Sequence, residues 1–271
     1  MKKLNKIYTI LIFIFLYAPM LVLIVASFNT GRDITHFEGF TLKRYQELFQ
    51  DSTLLPLLRN SLEIALLSSL IATVMGTMAA LGVHRMGPRI RSLILGVTNI
   101  PMTNPDIVTG VSLALLFVFA GTILRTNQIL GFWTLLIAHI TFNLPYVILN
   151  VMPKLNQMDP SLREAALDLG CTPTQAFLKV TIHEIMPGIV SGAIMAFTMS
   201  LDDFVISYFA YAPSYVTLPV EIYNYTKKPL QPKIYALFTL LFGVIFLLMV
   251  LMNLLQARGE KARAAQHSRS V

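Results

Sequence analysis

Residues 7–28 read IYTILIFIFLYAPMLVLIVASF, an apolar run of 22 residues without a charged side chain. A helix needs about 20 mostly apolar residues to cross the hydrocarbon core of a bilayer, so this run is long enough to span a membrane. The run is preceded by Lys2, Lys3 and Lys6. It exceeds the ~7–15 apolar residues of a signal peptide and is therefore predicted to remain as an uncleaved anchor.

Five more runs of this kind predict an all-α membrane protein with six transmembrane helices. The six predicted spans are 7–28, 61–83, 93–120, 131–152, 185–210 and 234–255. None contains lysine or arginine, and 55% of the 271 residues are hydrophobic while only 13% are charged. This composition excludes an ordinary soluble domain. We expect one transmembrane domain over residues 1–271, with a cytoplasmic loop at 153–184 and a cytoplasmic tail at 256–271.

The positive charges are distributed unevenly between the two sides of the membrane. With a cytoplasmic N-terminus, 13 of the 21 lysines and arginines lie inside and 8 outside. Cytoplasmic loops carry the excess of positive charge, so both termini are predicted to be cytoplasmic. The net charge of +7 is interpreted as an orientation signal and not as a nucleic-acid surface. Cys171 is the only cysteine, which excludes an internal disulfide and a cysteine-based metal site.

Local signals predict how some of the spans begin and how they pack. Ala72, Gly76 and Ala80 in the second span and Gly188 and Gly192 in the fifth recur every four residues, a spacing that lets helix backbones approach closely in lipid. Asn60 and Glu63 have the spacing of a capping box at the start of the second span. Pro101 and Pro105 each remove a backbone donor, so the third span is predicted to be broken between them. Broken backbone at membrane depth must face protein or a wet cavity.

Three carboxylates lie well inside the predicted spans: Asp106, Asp202 and Asp203. Each costs ~2.5–3.5 kcal/mol at a helix centre. No lysine or arginine within the spans can neutralise them, so they indicate either a water-filled path or a cationic solute. Asp106 also follows a helix restart, where it can instead complement the helix dipole. Asp202 and Asp203 point about 100° apart on a helix, so only one is expected to face a narrow path.

Tyrosines follow these acids toward the outer side, at Tyr208, Tyr211, Tyr215, Tyr223 and Tyr225. They are interpreted either as cation–π partners for an ammonium group or as an interfacial aromatic belt. His139 and Asn143 are one turn apart in the fourth span, where a lone histidine is more often a structural hydrogen bonder.

The loop between the fourth and fifth spans has the signals of two short helices. Asp159 and Pro160 start the first, which holds Glu164, Ala165 and Ala166 and ends at Gly170. Thr172 and Gln175 form a capping box for the second. The first helix is predicted to expose a small apolar face able to dock into a groove on another protein, formed by Leu162, Ala165, Ala166 and Leu169.

Glu164-Ala165-Ala166, Gly170 and Ile185-Met186-Pro187 resemble the EAA motif of bacterial ABC importer permeases. The resemblance covers nearly the whole chain and implies the type I importer fold, with this loop as the coupling helix that seats on an ATPase subunit. Other stretches resemble the PotC-type permeases of spermidine/putrescine transporters. They include Ser200-Leu201-Asp202-Asp203-Phe204-Val205, Pro213-Ser214-Tyr215 and Leu218-Pro219-Val220-Glu221-Ile222-Tyr223.

The residue pattern and the resemblance together predict a substrate pathway, and the resemblance implies a docking site and a set of partners. The predicted pathway residues are Asp106, Asp202 and Asp203, from their position inside the spans, together with Ser200, Tyr208, Tyr211 and Glu221. The implied ATPase-coupling residues are Glu164, Ala165, Ala166, Gly170 and Pro187. The implied partners are an ABC ATPase dimer, a second related permease subunit and a periplasmic or extracellular polyamine-binding protein in a bacterial inner membrane. ATP and Mg²⁺ would be bound by the ATPase, since this chain has no GxxxxGK[ST] phosphate loop, and no catalytic residue, metal or cofactor is expected here.

Two other classes of protein are compatible with acids inside a membrane. A stand-alone secondary transporter or channel for an organic cation would use them for coupling, but the capped cytoplasmic helix pair has no role in such a protein. In an intramembrane enzyme two aspartates could share a proton. Asp202 and Asp203 are consecutive in one helix, however, whereas such a dyad needs carboxylates that converge from different elements.

Overall fold

The chain is mostly helical in the part that the computed structural model describes, which is residues 2–31, 36–125, 129–227, 232–247 and 250. The helices are α1 (Lys2–Ser27), α2 (Lys43–Phe49), α3 (Leu54–His84), α4 (Pro88–Thr103), α5 (Asp106–Leu124), α6 (Phe132–Gln157), α7 (Ser161–Asp168), α8 (Pro173–Ala176), a π-helix (Phe177–Thr181), α9 (Ile182–Asp202), α10 (Val205–Ala210), α11 (Leu218–Thr226) and α12 (Pro232–Leu247). They form two compact units, one of Met1–Pro56 with Asn224–Val271 and one of Leu57–Tyr223.

The first unit contains α1, whose apolar residues are almost entirely exposed, as expected of a helix in lipid. Beyond it, Asp51 accepts hydrogen bonds from the backbone N–H of Thr53 (2.8 Å) and Leu54 (3.2 Å), and so caps the start of α3. Lys233 Nζ donates to the same carboxylate at 2.6 Å. Although burial raises the pKa of Asp51, these three hydrogen bonds outweigh it and hold the pKa below its usual value.

The second unit is built around α6. The C-terminal half of α6 packs against α3 and α9, and its N-terminal half packs against α3, α5 and α10. Small residues let these helices approach closely. A Cβ added at Gly76 would lie 2.8 Å from Val147 Cβ, and one at Gly188 would lie 2.8 Å from the carbonyl oxygen of Asn150. The every-fourth-residue spacing of small residues in the sequence therefore marks true packing faces.

The six-span prediction is met only in part. Five helical segments are long and apolar enough to cross a membrane: Lys6–Ser27, Leu54–His84, Asp106–Leu124, Phe132–Gln157 and Pro173–Asp202. The predicted third span, 93–120, is two helices, because Asn104 and Pro105 adopt extended backbone (ψ 140° and 132°). The predicted break in the third span is therefore confirmed, and it lies at Asn104 and Pro105.

The fifth and sixth spans also differ from their predicted bounds. Helix α9 stops at Asp202, eight residues before the predicted end, because Asp203 is extended (ψ 119°) and a separate helix begins at Val205. In the sixth, 16 apolar residues form α12, and most of the predicted remainder to 255 lies outside the described residues, as does the tail 256–271.

The predicted capping box at Asn60 and Glu63 is wrong. Helix α3 begins at Leu54, six residues earlier, so both side chains lie within the helix. Asn60 Nδ2 instead donates to the carbonyl oxygen of Val216 (2.9 Å), and Glu63 Oε2 accepts from the Tyr215 hydroxyl (3.2 Å). Burial and the nearby Glu63 carboxylate raise the pKa of Tyr215 well above its usual value.

Candidate functional site

A buried polar cluster joins four helices in the middle of the second unit. His139 of α6 is 1% exposed, and its Nδ1 lies 2.6 Å from Ser200 Oγ of α9. Its Nε2 lies 3.0 Å from Ser207 Oγ of α10 and 3.6 Å from Asp203 Oδ2. Ser200 Oγ in turn lies 3.0 Å from Ser68 Oγ of α3, which accepts a hydrogen bond from Asn143 Nδ2 at 3.4 Å. These six residues are the buried polar cluster.

One hydrogen bond of this cluster has a fixed direction, since the Asn143 amide nitrogen donates to Ser68 Oγ. Either hydroxyl can donate between Ser68 and Ser200, and the tautomer of His139 sets the direction of its bonds to Ser200 and Ser207. The Asp203 carboxylate, which only accepts, lies at the end of this network. The network therefore links side chains of α3, α6, α9 and α10.

The two neighbouring aspartates have different surroundings. Asp203 has a side chain that is 6% exposed, and its oxygens accept the backbone N–H groups of Ile206 (3.2 Å) and Ser207 (2.7 Å) at the start of α10. Asp202, the last residue of α9, is exposed on the surface of the unit. Only Asp202 thus has its carboxylate available to a group outside the chain.

Asp106 is the first residue of α5, directly after the break in the third span, and it is exposed. Helix α5 packs on α10: a Cβ added at Gly110, one turn after Asp106, would lie 2.9 Å from Phe209 Cδ2 and 3.4 Å from the carbonyl oxygen of Val205. Val205 is three residues after Asp202. The two helix breaks, each with an exposed acid beside it, therefore lie in the same region of the unit.

Aromatic rings adjoin the second break. The centroid of Phe204 lies 4.5 Å from that of Tyr223 and 5.5 Å from that of Tyr208. Tyr208 also lies 5.9 Å from Tyr223 and 6.2 Å from Tyr211. These four residues are the aromatic cluster. Tyr208 and Tyr223 are 36% and 40% exposed, so part of the cluster faces outward beside Asp202.

The other predicted pathway residues are placed differently. Ser200 is 4% exposed and is occupied by the buried polar cluster, so it does not face the surface. Glu221 is half-buried in the first turn of α11. Tyr215 packs its ring on Phe132 and points its hydroxyl at α3, away from the aromatic cluster.

The predicted helix pair between the fourth and fifth spans is present as α7 and α8. Gly170 follows α7 with φ +83°, and the N–H groups of Gly170 and Cys171 donate to the carbonyl oxygens of Leu167 (2.9 Å) and Ala166 (3.0 Å). This is a Schellman motif, which requires a left-handed residue at Gly170. The capping box of Thr172 and Gln175 is formed with distances of 3.0 and 3.3 Å.

The apolar face of α7 is exposed with one exception. Leu162 is 42% exposed and Leu169 is 86% exposed, and Glu164 and Ala165 are also on the surface. Ala166 is only 8% exposed, so the prediction that it belongs to the docking face is wrong. Its carbonyl oxygen accepts the Cys171 N–H, so Ala166 lies where the turn after α7 folds back on the helix. Pro187 is half-buried within α9.

Sequence reasoning missed part of this arrangement. Ser68 and Ser207 carried no distinctive motif, and Phe204 appeared only within the stretch 200–205 that resembles the permeases. Aspartate is a residue type that favours the start of a helix, and this was the one local signal for the role of Asp203. Among the described residues, no group of three or more histidine, cysteine, aspartate or glutamate side chains is arranged to hold a metal ion.

Comparison with known proteins places the chain among transport components. Residues 72–262 match the family model described as "Binding-protein-dependent transport system inner membrane component". The putrescine transport system permease protein PotI of Escherichia coli (strain K12) is 38% identical over 253 residues, covering 93% of this chain and 90% of that protein. The spermidine/putrescine transport system permease protein PotC of the same strain is 38% identical over 249 residues, covering 92% of both.

Solved structures agree with this chain in fold. A bacterial ABC transporter involved in the import of the acidic polysaccharide alginate superposes with a TM-score of 0.74 at 18% identity, covering 94% of each chain. The MetNI methionine ABC transporter, in an inward-facing conformation, gives a TM-score of 0.53 at 21% identity, covering 77% of this chain and 93% of that one. At these identities the likeness concerns the fold alone.

Proposed function

The chain belongs to the family of binding-protein-dependent transport system inner membrane components, and from this premise we propose that it is the membrane-spanning permease of an ATP-driven polyamine importer. It is homologous to the PotI and PotC permeases. The substrate class rests on those names and on one observation in this chain: Asp202 is exposed beside outward-facing aromatic rings.

A polyamine matches the chemistry of that surface. An exposed carboxylate in an apolar segment is costly unless it meets water or a cation. Aromatic faces attract ammonium groups by about 0.5–2 kcal/mol each, and methylene chains pack on the same rings. We assign Asp202 and the exposed rings of Tyr208 and Tyr223 to the pathway, with Asp106 beside the neighbouring break. Tyr211 and Glu221 flank this surface. Asp203 and Ser200 are buried beneath this surface, where they bond to α10 and to His139 of α6.

Helix α7 is proposed as the coupling helix. Its exposed leucines and Glu164 form a protruding surface, and the Schellman motif at Gly170 fixes how α7 connects to α8. The π-helix then joins α8 to α9, which ends at Asp202. Movement of α7 by an ATPase subunit would therefore be passed along one continuous segment to the acid that faces the substrate.

The assembly follows from the same premise. Partners are an ABC ATPase dimer that binds ATP and Mg²⁺, a second related permease and an external polyamine-binding protein. We infer six membrane crossings, with α4 and α5 as one interrupted crossing and α12 as the sixth, in a bacterial inner membrane with both termini cytoplasmic. The fold of the alginate and methionine transporters supports this arrangement.

The test is uptake of labelled spermidine and putrescine into proteoliposomes that contain the chain with its co-purifying partners and the external binding protein. We expect uptake only when ATP is present on the side of the ATPase subunits. Equal uptake without ATP would contradict the importer class and favour a secondary transporter.

A matched pair of variants separates the substrate from the class. Asp202→Asn keeps the shape of the side chain and removes the charge, and polyamine uptake is expected to fall at least about tenfold, since one charge interaction in a partly buried site exceeds about 1.4 kcal/mol. Glu38→Gln is the control, because Glu38 is an exposed acid in the loop before α2, in the first unit and outside both α7 and the aromatic cluster. ATP-driven uptake of a neutral or anionic solute would keep the class and reject the polyamine.

A further inference from the structure

Two arginines at the connection between α3 and α4 lie exposed without a partner among the described residues. Arg85 follows α3 and Arg89 lies in the first turn of α4. Neither side chain has a hydrogen bond or an ion pair within the described part of the chain, and the first turn of α4 contains no acidic residue. Two unpaired positive charges are thus presented four residues apart.

The connection that carries them is held in place by a third arginine. The Arg91 guanidinium donates to Asn156 Oδ1 of α6 and to Met152 Sδ at 3.6 Å. His84 Nδ1, at the end of α3, lies 3.2 Å from the same Asn156 oxygen. The ends of α3 and α6 and the start of α4 are therefore tied together, so Arg85 and Arg89 project from an anchored support.

An apolar stripe continues from these arginines along α4. Ile90, Leu93, Val97 and Ile100 follow each other at intervals of three and four residues, so they share one face. Their exposures are 57%, 68%, 56% and 59%, and α4 buries none of its residues in the chain. At 1.5 Å per residue the stripe is about 15 Å long, which is half of the ~30 Å hydrocarbon core.

We propose that this surface is a binding site for an anionic phospholipid of the cytoplasmic leaflet. The headgroup phosphate is held between Arg85 and Arg89, and the acyl chains lie along the stripe from Ile90 to Ile100. The length of the stripe matches one leaflet from headgroup to midplane. Arginine forks suit phosphate oxygens, and the cytoplasmic leaflet is the negatively charged one. This lipid site does not depend on the identity of the substrate. Its location on the cytoplasmic side is inferred from the distribution of lysine and arginine between the loops.

The first measurement is native mass spectrometry of the assembled importer titrated with phosphatidylglycerol and, separately, with zwitterionic phosphatidylethanolamine. Each arginine near an anionic headgroup strengthens binding about fivefold, so Arg85→Gln with Arg89→Gln is expected to weaken phosphatidylglycerol binding roughly 25-fold and leave phosphatidylethanolamine unchanged. Arg59→Gln with Arg125→Gln is the control, since it removes two exposed arginines from the opposite side.

Arg85→Lys with Arg89→Lys retains the charges that orient the chain and is expected to keep most of the binding. Unchanged phosphatidylglycerol affinity in the double Gln variant would overturn the proposal, and loss of the ATPase subunits from that variant with lipid affinity unchanged would assign the surface to a protein partner instead. If the double Gln variant does not insert, wild-type importer labelled with a photoreactive phosphatidylglycerol decides. More photolabel on residues 86–100 than on α1 supports the site, and photolabel concentrated on α1 refutes it.

Discussion

Asp202 and Asp203 show how neighbouring residues of one type take different roles. Asp203 is held by two backbone N–H groups of α10 and faces His139, whereas Asp202 ends α9 on the surface. The divergence arises because the helix stops between them. Once the backbone at Asp203 becomes extended, the two side chains no longer follow helical directions.

This difference predicts opposite results from the same chemical change. Asp203→Asn replaces an acceptor for two N–H groups with a weaker one, and is expected to destabilise the chain by about 1–3 kcal/mol. Asp202→Asn removes no hydrogen bond formed among the described residues and is expected to leave the melting temperature unchanged while uptake falls. The melting temperature of the purified complex and uptake by proteoliposomes are measured on both variants. A melting temperature that falls for Asp202→Asn and stays unchanged for Asp203→Asn would reverse the roles assigned to the two aspartates.

The sequence predicted that only one of these acids faces a path, but not which. Residue spacing gives directions on a continuous helix, and the choice depended on where the helix ends. The role of His139 as a structural hydrogen bonder is confirmed by its burial and by its contacts with Ser200 and Ser207. Its hydrogen-bond partners come from two other helices, 61 and 68 residues along the chain, and no local pattern reveals such pairing.

Among the elements, those with local signals were predicted best. The break before Pro105, the left-handed Gly170 and the Thr172 capping box each depend on a few adjacent residues, and all are present. The start of α3 was misplaced, because Asn60 and Glu63 have the spacing of a capping box although both lie within the helix. The real cap, Asp51, lies nine residues earlier and is fixed partly by Lys233 far along the chain.

Helix α7 gives a prediction for the element that meets the ATPase. Gly170 has φ +83° with no atom within 4 Å of an added Cβ, so a side chain there meets backbone strain and not a clash. Gly170→Val is expected to cost about 1–2 kcal/mol at the turn and reduce the ATPase subunits that co-purify with the membrane-inserted chain. Gly170→Asn is the matched variant, because asparagine tolerates this conformation and should retain them. Equal and complete co-purification of both variants would argue against coupling through this turn.

At the scale of the whole molecule, composition predicted the fold class. The spacing of small residues predicted that the helices pack closely. Sequence could not supply the number of helices that fully cross, because prolines and a capping aspartate divide two of the predicted spans. The second unit is held together by contacts between helices, and α6 is the element that most of them share.

The contact between α6 and α9 predicts the effect of a single methyl group. Gly188→Ala would place a Cβ 2.8 Å from the Asn150 carbonyl oxygen and 2.9 Å from Lys154 Cγ, so the two helices must separate. We expect a loss of about 1–3 kcal/mol, seen as a lower melting temperature of the complex. Gly96→Ala, with no atom within 4 Å of the added carbon, is the control and should leave the melting temperature unchanged or slightly raised. Equal melting temperatures for the two variants would show that the contact between α6 and α9 accommodates an added methyl group without loss of stability.

The buried polar cluster also sets a timetable for synthesis. His139 precedes Ser200 by 61 residues and Ser207 by 68, so at about 5–20 residues per second a ribosome needs roughly 3–14 s to make these partners after His139. For that interval His139 is in a nascent chain that lacks its α9 and α10 partners, and each unmet polar group in lipid costs several kcal/mol. The incomplete chain therefore depends on the insertion machinery to keep these polar groups out of lipid until α10 has been made. A chain truncated before Asp203 retains unpaired polar groups in the membrane, and a membrane protease can use them to distinguish it from a complete chain.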